Sequence, residues 1–489
     1  MKLPLWLVAS TAVALGGCDF APRYAPPHMA LPAKFNGAPP GGVELPANGA
    51  WWRSFKDRTL DDLQAQVDVA NPDLAAAIAA SDAAFARAAQ VEAGLLPQAD
   101  AISQVTANKQ SANRPLRSKD QPNYYGNNIL GGQVSYEIDI WGRVRDLAKA
   151  ANLTAEASAD ALAQARLELH AELARAYIDL RGLDAQAKLL SDTIGIYRQA
   201  LELTKSRLAA QIASPVDVDR AQNQLSSAEA QATEVALQRA TLETAIAALV
   251  GKPAASFSVA RSPSSIPLPK RPRAVPADVL RRRPDVAEQE RLTAAASQTI
   301  GAARANFFPR FTLLALGGTQ DTALRLLDPE NIFWTIGPAV DFPLFDAGLR
   351  QAELEVAQDQ FTQAAEQYRS VVLRAIKEVA DNLSGLRLLA QEYTQASTSA
   401  RAAQDAANLS LTLYRDGAAS FLDVVTAQQA ALEAQRLTII LHTRQLENVI
   451  GLMLALGGGW TVPPPQPLQP INTTPTPVQL VKDLSKARP

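Results

Sequence analysis

The chain has 489 residues and a formal net charge of −2 at pH 7, with 47% hydrophobic and 20% charged residues. This near-neutral balance, without a sustained Lys/Arg run, argues against nucleic acid as a partner. Aromatic residues make up only 6% of the chain and Ala dominates long stretches, so closely packed helix is the expected majority structure.

The first eighteen residues are typical of an export signal. Lys2 gives a positive start, a short apolar run extends to Leu15, and two glycines precede Cys18, the single cysteine of the chain. Small residues after an apolar run mark a cleavage site. The pattern resembles a bacterial lipoprotein signal, which predicts removal of residues 1–17 and a lipid on the Cys18 thiol. An ordinary signal peptide followed by a free cysteine is the alternative.

Two further features concern membranes. No later run reaches the roughly 18 apolar residues of a membrane helix, so any membrane passage has to be by strands. Asp19 directly follows the lipidation position and, in enteric bacteria, resembles a signal for retention at the inner membrane. The sequence leaves open how Asp19 affects sorting.

The chain contains an internal duplication, which fixes its organisation. Three residue pairs share one offset of 206 residues, namely Gly142 and Gly348, Ser214 and Ser420, and Ala221 and Ala427. This predicts a signal peptide (1–17), an N-terminal lipidated or equatorial segment (18–62), a first repeat (63–250), an equatorial linker (251–275), a second repeat (276–456) and a Pro-rich C-terminal equatorial segment (457–489).

Each repeat has the same order: a helix, two strands, a very long helix, a tight turn and a shorter helix. Apolar and polar residues alternate in the strands, which places one set on each face of a sheet. At roughly ten residues these strands could cross a bilayer with tilt, although a soluble half-buried sheet has the same alternation. The predicted strands are Ala99–Asn108, Ile129–Ile140, Phe311–Thr319 and Phe333–Phe342.

The long helices distinguish this chain from an ordinary globular domain. The helical pattern continues from Arg143 to about Ile212 and from Gly348 to about Asp416 without an internal proline. At 1.5 Å per residue, roughly 70 residues span roughly 100 Å. Such helices indicate a coiled coil or a helical tube. Shorter partners, Pro215–Val250 and Phe421–Leu456, return along them.

Four strands are too few to close a membrane barrel, since single-chain barrels begin at about eight. An open sheet edge facing lipid would leave its backbone groups unsatisfied. If the strands lie in a membrane, several chains must therefore share one barrel. This reasoning predicts an oligomer but not its size.

Six short motifs carry a family resemblance: Trp51-Trp52, Asn71-Pro72-Asp73-Leu74, Arg282-Arg283-Pro284-Asp285-Val286, Phe308-Pro309, Phe345-Asp346-Ala347-Gly348 and Tyr414-Arg415-Asp416-Gly417. With the duplication, their order resembles that of outer-membrane factors of the TolC/OprM type, in the lipoprotein branch that serves tripartite RND-type efflux pumps. The resemblance implies a mainly α fold with a small β part. It also implies a homotrimer whose 12-stranded outer-membrane β-barrel, with four strands per chain, continues into a long periplasmic α-helical barrel.

The function implied by the resemblance is passive conduction of substrates from a periplasmic adaptor and an inner-membrane RND-type pump to the exterior. The protein would sit in outer-membrane lipid, anchored at Cys18, and extend into the periplasm. No catalytic constellation, metal cluster or cofactor motif is visible, apart from the covalent lipid; His28, His170 and His442 are isolated. The alternative is a periplasmic coiled-coil scaffold or adaptor lipoprotein anchored to the inner membrane.

The turns between long and short helices hold the candidate site. Ser214 with Asp217, and Ser420 with Asp423, have the spacing of capping boxes. Capping alone would account for both acids. The alternative comes from the resemblance, in which Asp423 corresponds to an acidic ring position at the periplasmic mouth; with its repeat-mate Asp217 it would form a ring that favours cations. Thr426 stands where some relatives have a second acid. The other gate candidates are Tyr414 and Arg415, and the expected adaptor-docking tips are Ala213, Ser214, Gly417, Ala418 and Ser420.

Overall fold

A computed structural model describes residues 20–29, 35, 49–116, 118–262, 265–270 and 282–461. The lipidation predicted at Cys18, the sorting question at Asp19 and most of the Pro-rich C-terminal segment lie outside these residues.

The N-terminal part of each repeat is helical. Helix α1 (Arg58–Ala70) begins where the Asp57 carboxylate accepts a hydrogen bond from the Leu60 amide at 3.1 Å. Helix α2 (Pro72–Glu92) begins where the Asn71 side chain accepts one from the Leu74 amide at 2.8 Å. Both are N-caps of the usual kind. In the second repeat, the helix that corresponds to α2 is α5 (Pro284–Ala305). Like α2, it has proline at its first position.

The four strands form one antiparallel sheet in the order β1-β2-β3-β4, with β1 at Gln98–Lys109, β2 at Tyr124–Ile138, β3 at Arg310–Asp321 and β4 at Ile332–Asp341. The pairing of β2 with β3, from Asn128 with Asp321 to Ile138 with Phe311, joins the two repeats. All four predicted strands are confirmed. β2 starts at Tyr124 rather than Ile129, because residues 124–128 pair with the end of β1.

The long helices are α3 (Arg143–Ala209) and α6 (Leu349–Arg415), each of 67 residues. Each spans about 100 Å. Gly142 and Gly348 precede them with φ angles of 80° and 90°, a left-handed conformation that glycine adopts without steric cost. The shorter helices α4 (Pro215–Leu249) and α7 (Phe421–Ala455) return beside them, as predicted. The mainly helical, duplicated fold is therefore confirmed.

The main apolar core lies partway along the long helices, where Trp51, Phe55 and Leu60 pack against Tyr177 and Val449. The N-terminal segment and α1 thus cover the helices at this level. Such burial is the main favourable term in folding, at about 25 cal/mol per Å² of apolar surface.

A buried ionic network fastens the linker to this core. The Asp184 carboxylate accepts from Arg181 at 2.9 Å and from Arg239 at 2.8 Å. Arg181 also donates to the Ala260 carbonyl at 2.7 Å, and Arg239 to the Val259 carbonyl at 2.6 Å. Each buried guanidinium has an ionic partner and a carbonyl partner, which offsets the cost of burying the charge.

His170, one of the isolated histidines, is packed at the same level. Its ring stacks on Trp52 with centroids 4.4 Å apart, and its Nδ1 lies 2.5 Å from the Gln64 Oε1. Burial lowers the pKa of His170, although the nearby Asp68 carboxylate opposes this effect. His170 is therefore held by packing and a hydrogen bond at this level of the helices.

Candidate functional site: the helical turns and the four-stranded sheet

The two turns that join long to short helices have the same main-chain geometry. In the first turn (210–214), the Ile212 amide donates to the Arg207 carbonyl at 2.8 Å; in the second turn (416–420), the Ala418 amide donates to the Leu413 carbonyl at 2.8 Å. These are the closing hydrogen bonds of Schellman motifs, which need a left-handed residue. Gln211 (φ 60°) and Gly417 (φ 80°) occupy that position, and they are themselves 206 residues apart.

Both predicted capping boxes are present. The Ser420 hydroxyl accepts from the Asp423 amide at 3.3 Å, and the Asp423 carboxylate accepts from the Ser420 amide at 3.1 Å and hydroxyl at 2.7 Å. In the first turn the Asp217 carboxylate accepts from the Ser214 amide at 3.3 Å. Satisfying the free amides of both short helices sets where α4 and α7 begin.

Capping leaves both acids accessible. Asp423 is exposed, and the Asp217 side chain is 22% exposed and lies 3.7 Å from Arg220. An acid can therefore start a helix and also present negative charge to the surface at the same turn. The structure brings both acids to the same end of the molecule as the predicted tip residues, where Ala213 is half-buried and Ser214, Gly417, Ala418 and Ser420 are exposed.

The gate candidates Tyr414 and Arg415 have different environments. Tyr414 is buried and packs on Phe421, with ring centroids 5.2 Å apart. The Arg415 side chain is exposed and makes no hydrogen bond or ion pair with the described residues. A different cation binds the C-terminus of α6, next to the second turn: the Arg207 Nη1 donates to the Tyr414 carbonyl at 2.6 Å.

Sequence reasoning missed Arg207. The available signal was its place as the last basic residue of α3, since basic side chains are favourable near helix C-termini. That signal predicts stabilisation of its own helix, whereas the structure places the guanidinium on the C-terminus of α6.

The opposite end of the molecule presents an apolar sheet face. Val134 of β2 pairs with Ala315 of β3, and Ala315 pairs with Ile336 of β4, so all three side chains share one face. On that face Trp334 and Ile336 are 75% and 62% exposed. A contiguous exposed apolar surface marks a membrane or partner contact.

The sheet is also open. β1 pairs only with β2, and β4 only with β3, so the outer edges of β1 and β4 have no strand partner within the described residues. An apolar sheet with two free edges is a ready template for pairing with further strands.

Two absences complete the geometry. In the described part of the chain, no helix is both long and apolar enough to span a membrane. Among the same residues, no group of three or more His, Cys, Asp or Glu side chains is arranged to hold a metal ion.

A duplicated pair of helices about 100 Å long, which carries an open sheet with an exposed apolar face, defines a class of elongated subunits. The sequence model of the family described as "Outer membrane efflux protein" matches residues 64–252 and 275–458. The chain belongs to this family.

Individual relatives agree. The toluene efflux pump outer membrane protein TtgC of Pseudomonas putida is 30% identical over 477 residues, which cover 94% of this chain and 96% of the relative. The cation efflux system protein CusC of Escherichia coli is 27% identical over 457 residues, or 92% of this chain and 97% of the relative. The solved outer-membrane channel OprN aligns with a TM-score of 0.85 at 27% identity, covering 91% of this chain and all of OprN. The chain is accordingly an outer-membrane channel component of the efflux type, and the alternative adaptor interpretation is not favoured.

Proposed function

We propose that three copies of this chain form one continuous duct, which conducts substrates passively from a periplasmic adaptor and an inner-membrane RND-type pump across the outer membrane. The observation that carries the proposal is the open four-stranded sheet with an exposed apolar face at one end of helices about 100 Å long.

The sheet geometry supports assembly by edge pairing. All neighbouring strands are antiparallel and their number is even, so β4 of one copy runs opposite to β1 of the next. Joining these edges satisfies the backbone groups that lipid could not. Three copies give the 12-stranded barrel of the family this chain resembles, and the apolar face with Trp334 and Ile336 becomes its lipid-facing surface.

The N-terminal segment supports a lipid anchor on Cys18. Phe20, two residues after that cysteine, stacks on Phe308 with centroids 4.7 Å apart, at the helical end of the sheet. Arg304 donates to the Phe20 carbonyl at 3.1 Å. Trp141 lies 4.8 Å from Phe308 in the same cluster. Aromatic side chains favour the membrane–water interface, so this docking holds the anchored end of the chain beside the bilayer.

The turns at the other end are the proposed docking and gating site. Ser214 and Ser420 begin the short helices there, and Asp217 and Asp423 would contribute six carboxylates to one mouth in a trimer. A ring of carboxylates favours cations and opposes its own closure by charge repulsion. The exposed second turn, with Gly417 and Ala418, is small enough for end-to-end contact with an adaptor hairpin.

The identities of the relatives fit a passive conduit. TtgC is named for toluene and CusC for cations, yet both match this chain over nearly its whole length. A scaffold shared by such different cargo is expected when the pump selects the substrate and the duct only conducts it.

The proposal is tested by reconstituting the purified protein in a planar lipid bilayer and recording its ion conductance, with membrane fractionation of the producing cells alongside. We expect discrete channel events from a cross-linkable trimer that fractionates with the outer membrane. Recovery with the inner membrane, together with silence despite verified insertion, would contradict the duct and favour a tethered scaffold.

A further inference from the structure

We propose that the proline-rich run Pro463–Pro470 binds in a tryptophan-lined groove of its own protomer. The groove has a volume of about 400 Å³ and lies between the segment before α1, helices α1 and α3, and the glycine turn after α7. We call it the tryptophan groove. Such a contact ties the end of the chain to its first helices, a role separate from the conduction of substrates. The groove walls include Trp51, Trp52, Ala163, Arg166, His170 and Trp460.

The aromatic walls present flat faces of the kind that proline rings pack against. The Trp52 ring stacks on His170 with centroids 4.4 Å apart, and it meets the Trp51 ring edge-on at 5.8 Å. Trp52 and Trp460 are half-buried, so part of each side chain is open to a further contact. Grooves lined with aromatic rings bind proline-rich segments in the polyproline II conformation, whose preformed backbone reduces the entropy lost on binding.

One wall of the groove carries a hydrogen-bond donor without a partner. Trp51 is 1% exposed, and its indole Nε1 makes no hydrogen bond within the described residues. A Cβ atom built at Gly458 would lie 3.3 Å from this nitrogen, so the N–H edge faces the glycine turn from which the chain continues. A buried tryptophan N–H normally has an acceptor, and leaving it without one is unfavourable. A backbone carbonyl of the proline-rich run would supply that acceptor.

The charges of the tryptophan groove favour an uncharged occupant. Arg166 pairs with Asp68 at 3.3 Å, and the His170 Nε2 lies 3.3 Å from the same carboxylate. Burial lowers the pKa of His170, so its ring is neutral at neutral pH. Residues 462–471 contain no charged side chain. Proline also has no backbone N–H, so placing it in a groove buries no donor that needs a partner.

The end of the described chain lies in the groove itself. Trp460 and Thr461 line it, and the proline-rich run begins two residues later at Pro463. In polyproline II each residue advances the chain by about 3.1 Å, so the first prolines stay within about 10 Å of the groove wall. The glycines at 457–459 have φ angles of 78°, 60° and 88°. Glycine adopts this left-handed conformation without steric cost, which lets the chain turn sharply after α7.

A second proline-containing stretch borders the groove but fits it less well. Residues 36–48 directly precede Gly49, which also lines the groove. This stretch contains three glycines and the charged Glu44. Glycine does not preset an extended conformation, so ordering the stretch costs more entropy. The Glu44 carboxylate would also find the nearby cation, Arg166, already paired.

The first experiment measures how fast a thiol in the groove reacts with a polar maleimide in the full-length, detergent-purified protein. Ala163→Cys places the thiol in the groove wall, and wild type, whose single cysteine is Cys18, gives the background. The reaction is expected to be slow, because the proline-rich run covers position 163. In the serine variant, all five prolines of the run are replaced by serine, and the rate should rise several-fold.

A synthetic peptide with the sequence of residues 462–471 distinguishes direct coverage from an indirect effect. Added to the serine variant, it should restore the slow reaction in a saturable way, whereas the same peptide with serine in place of proline should not. Ser191→Cys, exposed farther along α3, is the matched control thiol, and its rate should be the same with either run. If the serine variant does not assemble, Pro467→Ser with Pro470→Ser carries the test.

A second experiment identifies which chain supplies the run. Mild oxidation of Ala163→Cys with Gln466→Cys is expected to form a disulfide within one chain, because Thr461 of that chain already lies in the groove wall. Denaturing electrophoresis should then show a monomer whose two introduced thiols no longer react. A disulfide-linked dimer would assign the run to a neighbouring protomer and contradict the proposal of a contact within one protomer.

Two results of the maleimide experiment would overturn the docking itself. A reaction at position 163 as fast with the natural run as in the serine variant, and unaffected by the peptide, would show that the run does not cover the groove. A slow reaction in both proteins would show that another part of the assembly covers it. Either result leaves the duct intact, because thiol reactivity is measured on the assembled protein and needs no channel activity.

Discussion

Gly182 of α3 packs so closely against Thr443 of α7 that a Cβ atom at position 182 would lie 2.5 Å from the Thr443 hydroxyl oxygen. Thr443 is held in place because that hydroxyl donates to the Ile439 carbonyl at 3.1 Å. The long helix of the first repeat and the short helix of the second therefore meet at a glycine.

Gly182→Ala is expected to lower stability by about 1–3 kcal/mol, the usual cost of overpacking a tight contact. Gly195 provides a matched control in the same helix, since no atom lies within 4 Å of its hypothetical Cβ. Gly195→Ala should be neutral or stabilising by up to about 1 kcal/mol, because alanine is the better helix former. Thermal unfolding of the detergent-solubilised protein measures both. Equal melting temperatures for the two variants would contradict the tight crossing.

The same helix crossing predicts a pH effect. Asp179, three residues before Gly182, hydrogen-bonds with Glu447, and burial beside that second carboxyl raises the pKa of Asp179 from 3.8 to about 7. Arg444 of α7 and Glu234 of α4 line the same groove. A second carboxyl beside the buried Asp179 disfavours its ionised form, so the folded pair keeps a proton that the unfolded chain would release.

The sign follows from proton binding. Between about pH 4 and pH 7 the folded protein keeps a proton that the unfolded chain has lost, so this pair makes stability fall as pH rises through that window and has no further effect above it. Asp179→Asn stays neutral and can still donate to Glu447. Its melting temperature relative to wild type should therefore increase from pH 5 to pH 8. A constant difference would show that the pair shares no proton, and Glu234→Gln should follow wild type.

The large elements could be predicted because their periodicity is strong. Alternation of apolar and polar residues within each strand predicted the four strands, and 67-residue helices leave a continuous helical pattern. That Val134 and Ile336 share one face follows from the register between strands, which the structure supplied. The start of β2 was missed because Tyr124-Tyr125-Gly126-Asn127-Asn128 has no alternation; its strand conformation comes from pairing with β1.

Contacts between distant helices could not be predicted in the same way. Whether Arg207 faces Tyr414 depends on the accumulated rotation of α3 and α6 over their full length, which single-residue patterns do not fix. The Asp179–Glu447 pair likewise joins residues from different repeats. The capping boxes were predictable because all their atoms lie within four residues.

Charge selectivity tests the acidic mouth. Asp217→Asn with Asp423→Asn is expected to shift the reversal potential under a salt gradient towards zero, because the carboxylates that attract cations are gone. Asparagine can still accept the capping hydrogen bonds, so trimer stability should change little. Asp192→Asn, an exposed acid farther along α3 that pairs with Lys188, is the control. An unchanged reversal potential in the double variant would remove these acids from the constriction.

The proposed docking of an adaptor at the second turn can be tested by placing a bulky side chain there. Gly417 has a φ of 80°, so Gly417→Asn, with a residue that tolerates this conformation, separates backbone strain from size. Gly417→Trp should abolish pump assembly in cells, as measured by cross-linking to the adaptor, whereas the trimer persists and Gly417→Asn still assembles. Assembly that survives the tryptophan would place the adaptor contact elsewhere.

The sheet offers the last and sharpest comparison, because neighbouring residues of β4 face opposite sides. Ile336 lies on the apolar face, in register with Ala315, while Thr335 pairs with Leu316 on the other face. If the apolar face meets lipid, Ile336→Arg exposes a charge to hydrocarbon at a cost of about 2–4 kcal/mol near the bilayer midplane. Thr335→Arg puts the same charge into the duct, where water solvates it. We therefore expect the amount of trimer in the outer-membrane fraction to fall for Ile336→Arg and to stay near wild type for Thr335→Arg. The reverse order would mean that the sheet is turned inside out relative to the proposed barrel, since the two positions differ by one residue and in little else.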